Sequence, residues 1–189
     1  MRRRALYAAE PTDALLAEGP GRPPRPSRLD AVGCLWLAGL EDVDEVVGRL
    51  APEVAHGYLV DEVVQWDGDR ESPAGAAPPE LTLFYFGRRR RDLDRAAFVA
   101  RYRDGHGPLA RQHHPGIWRY VQHFVVRAVT QGAPALDSVA ELAFRTLEDH
   151  RERFYRDATS PGVIAADVAG FLDVERTWGL VTRKRILAD

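Results

Sequence analysis

The sequence has little of several residues that chemistry often needs: one cysteine and one lysine among 189 residues. A single cysteine, Cys34, excludes an internal disulfide and any zinc or iron–sulfur spacing. It lies in the apolar stretch 31–38, so we interpret it as a small buried hydrophobe and not as a nucleophile. The one lysine, Lys184, stands between two arginines near the end of the chain. We interpret it as a solvated residue and not as a Schiff-base former.

Cofactor motifs are also absent from the sequence. There is no glycine-rich phosphate loop, no dinucleotide-binding fingerprint and no Ser-His-Asp pattern. His113 and His114 are adjacent before Pro115, and neighbouring side chains point in different directions, so we predict no metal site there. We therefore expect the protein to need neither a metal nor an organic cofactor.

Charge and hydropathy exclude two further classes of partner. The net charge is −2 and the isoelectric point is near 6.3, whereas nucleic-acid binding needs a concentrated basic face. No stretch reaches the roughly 18 apolar residues of a membrane-spanning helix, and no long apolar segment follows the basic residues 2–4. We expect no membrane partner, no secretion and a cytoplasmic location.

A polar segment rich in proline and glycine, residues 67–80, predicts a linker between two parts of the chain. The pattern before it predicts three strands, a short helical turn, a proline-rich segment and a longer helix. The strands are predicted over 5–10, 31–38 and 58–66. The turn is predicted over 11–17, the proline-rich segment over 19–27 and the helix over 43–50. We interpret residues 1–66 as a degenerate ferredoxin-like half that has lost one strand.

Residues 81–189 predict a complete unit of the order βαββαβ, which is that of the ferredoxin-like α+β fold. Its first helix is capped by Asp92 or Asp94 and is expected to break at the glycines on either side of His106. The strands are predicted over 81–86, 117–129, 138–144 and 177–187, and the second helix over 147–156 and 164–171, with an interruption between them.

Helices cover only one face of such a sheet, so its other apolar face must be covered by something else. We predict that two ferredoxin-like halves pack sheet to sheet as a barrel within one chain. The alternative is a homodimer of the C-terminal halves, with residues 1–66 as an addition.

Five short motifs carry a resemblance to a known family. They are Leu93–Phe98, Tyr102–Leu109, Arg119–His123, Val139–Leu142 and Phe171–Asp173. In this order and spacing the sequence resembles the EthD family of dimeric α/β-barrel proteins over roughly residues 81–187. The resemblance implies two ferredoxin-like sheets that pack face to face around a cavity.

The same resemblance implies a function as well. It points to small cofactor-free enzymes of polyketide and other secondary-metabolite pathways, antibiotic biosynthesis among them, such as cyclases, dehydratases and monooxygenases. Other members accompany a degradative oxidation system. Two positions depart from the family pattern. The family often has Asn-His after Tyr-Val-Gln, whereas this chain has His123-Phe124, so the imidazole is one residue earlier and lies on the other sheet face. The family often has tryptophan at the position of Ala143, and the smaller side chain leaves space in the cavity.

Three ionisable residues are the candidate catalytic groups. His106 is interpreted either as a general acid or base at the cavity mouth or as a helix-terminal histidine that caps carbonyls. His123 lies mid-strand, and Glu141 on the next strand is expected to approach it across the sheet. The pair is either a carboxylate that orients a proton-transferring imidazole or a buried structural pair.

Five aromatic residues are candidates for substrate binding. They are predicted to line a cavity for an aromatic ligand, with ordinary core packing as the alternative. These residues are Tyr85, Tyr102, Trp118, Tyr120 and Trp178.

The sequence thus leads to a functional hypothesis with two alternatives. The hypothesis is a cofactor-independent enzyme of secondary metabolism that transfers protons, as a cyclase or dehydratase, on a hydrophobic aromatic or polyketide-like molecule. The first alternative is a cofactor-free monooxygenase, and the second is a ligand-binding or accessory protein without turnover.

Overall fold

The structure is a computed structural model and describes residues 3–9, 31–37, 39–50, 54–68 and 81–185. The helical turn predicted over 11–17, the proline-rich segment and most of the predicted linker lie outside these ranges.

Seven strands are described, and their positions agree closely with the predicted ones. They are β1 (Arg3–Ala9), β2 (Ala31–Trp36), β3 (Tyr58–Asp67), β4 (Leu81–Gly87), β5 (Ile117–Ala128), β6 (Ser138–Phe144) and β7 (Trp178–Arg185).

The helices connect these strands as the pattern predicted, with one difference in the first long connection. The α-helices are α1 (Val43–Leu50), α2 (Arg95–Ala100), α3 (Gly107–His113), α4 (Leu147–Arg153) and α5 (Ser160–Ala169). Short 3-10 turns precede α1 and β7, and a π-helical segment, Arg101–His106, joins α2 to α3.

The strands form one antiparallel sheet in the order β2-β1-β7-β4-β6-β5-β3. Its centre, β7-β4-β6-β5, together with the helices between these strands, is the predicted ferredoxin-like βαββαβ unit.

The helices of this unit lie on one face of the sheet, and a core of aromatic and aliphatic side chains fills the space between them and the sheet. Phe98, Phe124, Phe144 and Phe171 in this core are at most 1% exposed. Burial of each such ring contributes roughly 1.5–3 kcal/mol.

The described strands of residues 1–66 lie at the edges of this same sheet. The β1–β2 pair extends it beyond β7, and β3 extends it beyond β5. The predicted ferredoxin-like α+β fold is confirmed, and the strands of the two halves are continuous in one sheet. The physical reason is that β7 and β5 are edge strands of the four-stranded unit, and their free backbone groups pair with the added strands.

The sheet curls strongly, so that its helix-free face is concave and covered within the chain. Val32, Cys34 and Trp36 of β2 pack against a cluster that includes Phe84 and Phe86 of β4, although β1 and β7 separate these strands in the sheet. The Nε1 of Trp36 also donates a hydrogen bond to Oε2 of Glu62 on β3, over 3.1 Å. This contact joins the two edges of the sheet, and the N-terminal strands thereby cover the face that the ferredoxin-like unit leaves bare.

The first long connection does not break at Gly105 and Gly107 as expected. Asp94 caps α2 by accepting from the backbone N–H of Ala97, at 2.7 Å, and the chain then continues through the π-helical segment into α3. The backbone N–H of Gly107 donates to the carbonyl of Tyr102, five residues earlier. Pro108 explains the wider turn, because its nitrogen cannot donate the next helical hydrogen bond.

Candidate active site on the concave face of the sheet

On the concave face of the sheet, side chains that are cross-strand partners form parallel rows. One row contains Glu62, His123, Val139, Phe86 and Trp178, which are cross-strand partners in turn. A second row contains Val64, Val121, Glu141, Phe84 and Leu180, and a third contains Asp67, Arg119, Ala143, Thr82 and Thr182. Ionisable side chains therefore lie at the β3–β5–β6 side of this face, and apolar ones lie toward β4 and β7.

Four of these side chains form a buried ionisable cluster, which we call the concave-face cluster: Asp67, Arg119, His123 and Glu141. The Nη1 of Arg119 donates to Oε1 of Glu141, and its Nε lies 3.5 Å from Oδ1 of Asp67. The Nε2 of His123 lies 3.5 Å from Oε2 of Glu141. The side chains of Arg119, His123 and Glu141 are 5%, 7% and 2% exposed, so the whole network is shielded from water.

The predicted approach of His123 to Glu141 is therefore seen, and the cluster holds more than this pair. A guanidinium is a permanent cation whose burial is unfavourable without anionic partners, and Arg119 has two carboxylates beside it. One oxygen of Glu141 binds the guanidinium while the other faces the imidazole. At 3.5 Å the carboxylate lies beside the imidazole, and a neighbouring carboxylate is a common feature of proton-transferring histidines.

His106 lies on the opposite side of the sheet, in the helix-side core. Its Nδ1 is 2.8 Å from Oδ2 of Asp167 on α5, and its ring packs against those of Tyr102, Tyr120 and Phe171. The hydrogen bond from His106 is the main cause that lowers the pKa of Asp167. The two predicted catalytic histidines are thus separated by the sheet and do not form one site.

His106 also differs from the helix-end residue that the glycines suggested. It lies within a continuous helical connection and is 6% exposed. The close approach of Gln65 to Gly107, where a Cβ would lie 2.3 Å from the amide oxygen, explains the second glycine by packing and not by helix termination.

The five predicted aromatic residues fall into three different places. Tyr85, Tyr102 and Tyr120 belong to the helix-side core, where burial raises the pKa of Tyr102 to about 12 and that of the other two further still. Trp178 stacks on Phe86 at 3.9 Å on the concave side. Trp118 lies at the end of the sheet under Arg145. Only Trp178 therefore shares a row of side chains with His123.

Two residues of these sites were missing from the sequence prediction. Asp67 had been assigned to the linker, although the apolar alternation of β3 continues through Trp66 and identifies Asp67 as a strand residue. Asp167 lies three residues after Ile164 and four before Phe171, both buried. That helical spacing places a carboxylate on the buried face of α5 and is the signal that would have found it.

The described ranges, 3–9, 31–37, 39–50, 54–68 and 81–185, also bear on membrane and metal binding. No helix there is long and apolar enough to cross a membrane. Those ranges contain no group of three histidine, cysteine or acidic residues placed to hold a metal ion.

These features define a ferredoxin-like α+β protein with a buried ionisable cluster on the concave face of its sheet. Residues 90–175 match the sequence model of the EthD domain. The match confirms the resemblance seen in the motifs, and Arg119, His123 and Glu141 all lie within the matched residues.

A comparison with solved structures supports the fold. The crystal structure of an anthrone oxidase-like protein superposes with a TM-score of 0.57 and 8% sequence identity. The alignment covers 97% of this chain and 76% of that one, so the likeness extends to the N-terminal strands. No curated protein matches the sequence.

Proposed function

We propose that the protein is a cofactor-independent enzyme of secondary metabolism that transfers protons on a hydrophobic, aromatic or polyketide-like small molecule, in a cyclisation or dehydration. The observation that carries the proposal is the contact of His123 with Glu141 in a buried cluster, beside the aromatic pair of Phe86 and Trp178. Apolar walls bind the body of such a substrate, and the imidazole removes and returns its proton.

Each residue of the concave-face cluster has a role in this proposal. Glu141 faces Nε2 of His123, which leaves Nδ1 to exchange a proton with the substrate. A C–H bond next to a carbonyl breaks, the proton moves to His123, and the electron pair becomes an enolate. In a cyclisation the enolate carbon attacks a second carbonyl carbon of the substrate, and the resulting alkoxide takes the proton back from His123. In a dehydration a hydroxyl group β to the carbonyl leaves as the enolate collapses, and the proton from His123 converts it to water. Arg119 holds Glu141 in position through its guanidinium.

The seam between β2 and β3 is the proposed access route for the substrate. No backbone pairing joins β2 to β3 among the described residues, and the side-chain hydrogen bond from Trp36 to Glu62 connects the two edges. Glu62 is exposed and is the direct cross-strand partner of His123. A substrate that enters at this seam therefore reaches the imidazole first.

Proton exchange at carbon tests the proposal without knowledge of the natural substrate. We would use 2-tetralone in deuterium oxide as the probe, because its aromatic ring adjoins a ketone with acidic C–H bonds, and follow loss of the C1 proton signal by NMR. The wild-type protein is expected to accelerate the exchange. His123→Gln should lower the acceleration by about a hundredfold or more, as expected for loss of a general base.

His106→Asn serves as the matched control, because it removes a histidine–carboxylate contact on the other side of the sheet. It should leave the exchange unchanged. Exchange that depends on His106 and not on His123 would contradict the assignment. Oxygen uptake with anthrone as probe tests the monooxygenase alternative, and uptake without any exchange activity would favour that reaction. Tight binding of 2-tetralone without exchange would favour an accessory protein.

A further inference from the structure

A second candidate site lies at the end of the sheet where β5 begins and β6 ends. It is an open cleft of about 480 Å³ lined by Gly68, Arg111, His114, Pro115, Ile117, Trp118 and Arg145. This volume lies in the range of small-molecule sites, roughly 300–1,000 Å³. None of Arg119, His123 and Glu141 lines it, so the cleft is separate from the proposed active site.

Two hydrogen-bond donors in this cleft are buried and unsatisfied. The guanidinium of Arg145 lies over the ring of Trp118, 4.5 Å from its centroid. The Nη1 of Arg145 and the Nε1 of Trp118 each lack a hydrogen-bond partner in the part of the chain that the structure describes. Buried polar groups are nearly always paired in folded proteins, so two adjacent unpaired donors indicate that an acceptor from outside binds here.

Gly68 packs closely against the indole edge of Trp118. A Cβ at this position would lie 2.5 Å from Nε1 of Trp118, so a residue with a side chain could not occupy position 68 without displacing the indole from beneath Arg145.

The charge of the cleft identifies the kind of acceptor. Arg111 is exposed and lies over the ring of Trp66, 5.0 Å from its centroid, and neither Arg111 nor Arg145 has a carboxylate partner among the described residues. No acidic residue is among those that line the cleft. His114 adds no charge near neutral pH, because burial lowers its pKa to about 4. Among the described residues that line the cleft, two guanidinium groups are therefore present and no carboxylate.

We propose that this cleft binds the oxyanion group, a carboxylate or a phosphate monoester, of a small organic molecule. The guanidinium of Arg145 and the indole N–H of Trp118 donate to its oxygens, and Arg111 supplies a second positive charge. Ile117 and Pro115 contact the carbon body of the ligand.

Calorimetric titration of the whole chain tests the proposal. Benzoate and phenyl phosphate are the two anionic probes, and benzamide is the neutral isostere of benzoate. At least one anion should bind at least about tenfold more tightly than benzamide, since a charge-assisted hydrogen bond is worth about 1.5–3 kcal/mol. Higher affinity for benzoate identifies the natural ligand as a carboxylate, and higher affinity for phenyl phosphate identifies it as a phosphate monoester.

Variants locate the binding in the cleft. Arg145→Gln should weaken the preferred anion at least about tenfold, and Trp118→Phe, which keeps the ring under Arg145 but removes the N–H, should weaken it as well. Arg151→Gln on α4 is the control, because it removes an exposed arginine of the same charge outside the cleft, and it should not change the affinity. Equal binding of benzoate, phenyl phosphate and benzamide, no binding of either anion, or wild-type affinity in a folded Arg145→Gln protein would overturn the proposal.

Discussion

Two histidine–carboxylate contacts lie on opposite faces of one sheet, and they differ in what surrounds them. His106 and Asp167 form a single hydrogen bond of 2.8 Å between two helical segments, enclosed by aromatic rings. His123 and Glu141 lie 3.5 Å apart in a network that also contains Arg119 and Asp67. The first carboxylate is 19% exposed and the second 2%.

The difference shows that a histidine–carboxylate contact can be structural in one place and suited to proton transfer in another. Asp167 meets water as well as His106, so this contact fixes the π-helical segment to α5 in the manner of an ordinary tertiary hydrogen bond. Glu141 is buried beside a permanent cation, and its second oxygen faces the imidazole of His123. The shielded contact is therefore the better place for proton transfer, although by sequence motif alone His106 was the stronger candidate.

Glu141→Ala should produce the largest change, because it removes a carboxylate that accepts a hydrogen bond from the buried guanidinium of Arg119. We expect a loss of about 3–5 kcal/mol in the free energy of unfolding, measured by urea denaturation. The double variant Arg119→Met, Glu141→Leu should recover much of this loss, since it removes both charges and fills the same space. An equal loss in the double variant would contradict the view that the uncompensated cation is the cause.

A third histidine, His114, whose ring binds a backbone carbonyl, gives the contrasting case. The Nδ1 of His114 is 2.5 Å from the carbonyl of Phe154, and burial lowers its pKa from 6.5 to about 4. The imidazole of His114 binds a proton more strongly in the unfolded chain than in the folded protein. The stabilisation that its neutral form gives the folded state is therefore complete above pH 6.5 and is lost as the pH falls toward 4. The loss amounts to about 3 kcal/mol by linkage.

The measurement is the free energy of unfolding at several pH values for the wild type and for His114→Asn, which keeps an N–H donor but does not titrate. The wild type should lose more stability than the variant between pH 6.5 and 4. Parallel curves would show that His114 is not held in its neutral form.

Asp167→Asn should have the smallest effect, of about 1 kcal/mol, because the carboxylate is partly solvated and screening reduces its contribution. The pKa of Asp167 is lowered, chiefly by the hydrogen bond from His106 and also by Arg101. This contribution is therefore present above the ordinary pKa of 3.8 and disappears as the pH falls through the lowered value.

Thermal melts of the wild type and Asp167→Asn should accordingly differ at pH 7, and the difference should shrink as the pH falls below 3.8. The variant should also exchange 2-tetralone protons at the wild-type rate. A variant that melts normally but loses exchange activity would reverse the assignment of the two histidines, and it would place catalysis on the helix side of the sheet.

Much of the fold follows from local sequence patterns. Alternation and apolar runs predicted the strands around Leu81–Gly87 and Ser138–Phe144 to within a residue or two, because side-chain period is a property of the strand itself. The pairing of His123 with Glu141 also followed, since neighbouring antiparallel strands bring such positions together whenever the register permits.

Other features depend on contacts between distant parts of the chain, and local patterns do not contain them. Gly105 and Gly107 suggested a helix end, but packing against Gln65 and the missing N–H of Pro108 produced a π-helical connection. The composition of residues 67–80 predicts a linker that includes Asp67. In the structure Asp67 is the cross-strand partner of Arg119 and belongs to the concave-face cluster.

By itself, the sequence determined the ferredoxin-like unit of residues 81–185, its EthD motifs and the strand positions of His123 and Glu141, because hydrophobic period and motif order are encoded locally. Only the tertiary structure decided that the N-terminal strands extend and curl the same sheet, that His106 lies behind it, and that two arginines face an open cleft at its end. These outcomes depend on which strand edges pair and how far the sheet twists, and both are set by the summed packing of residues far apart in the chain.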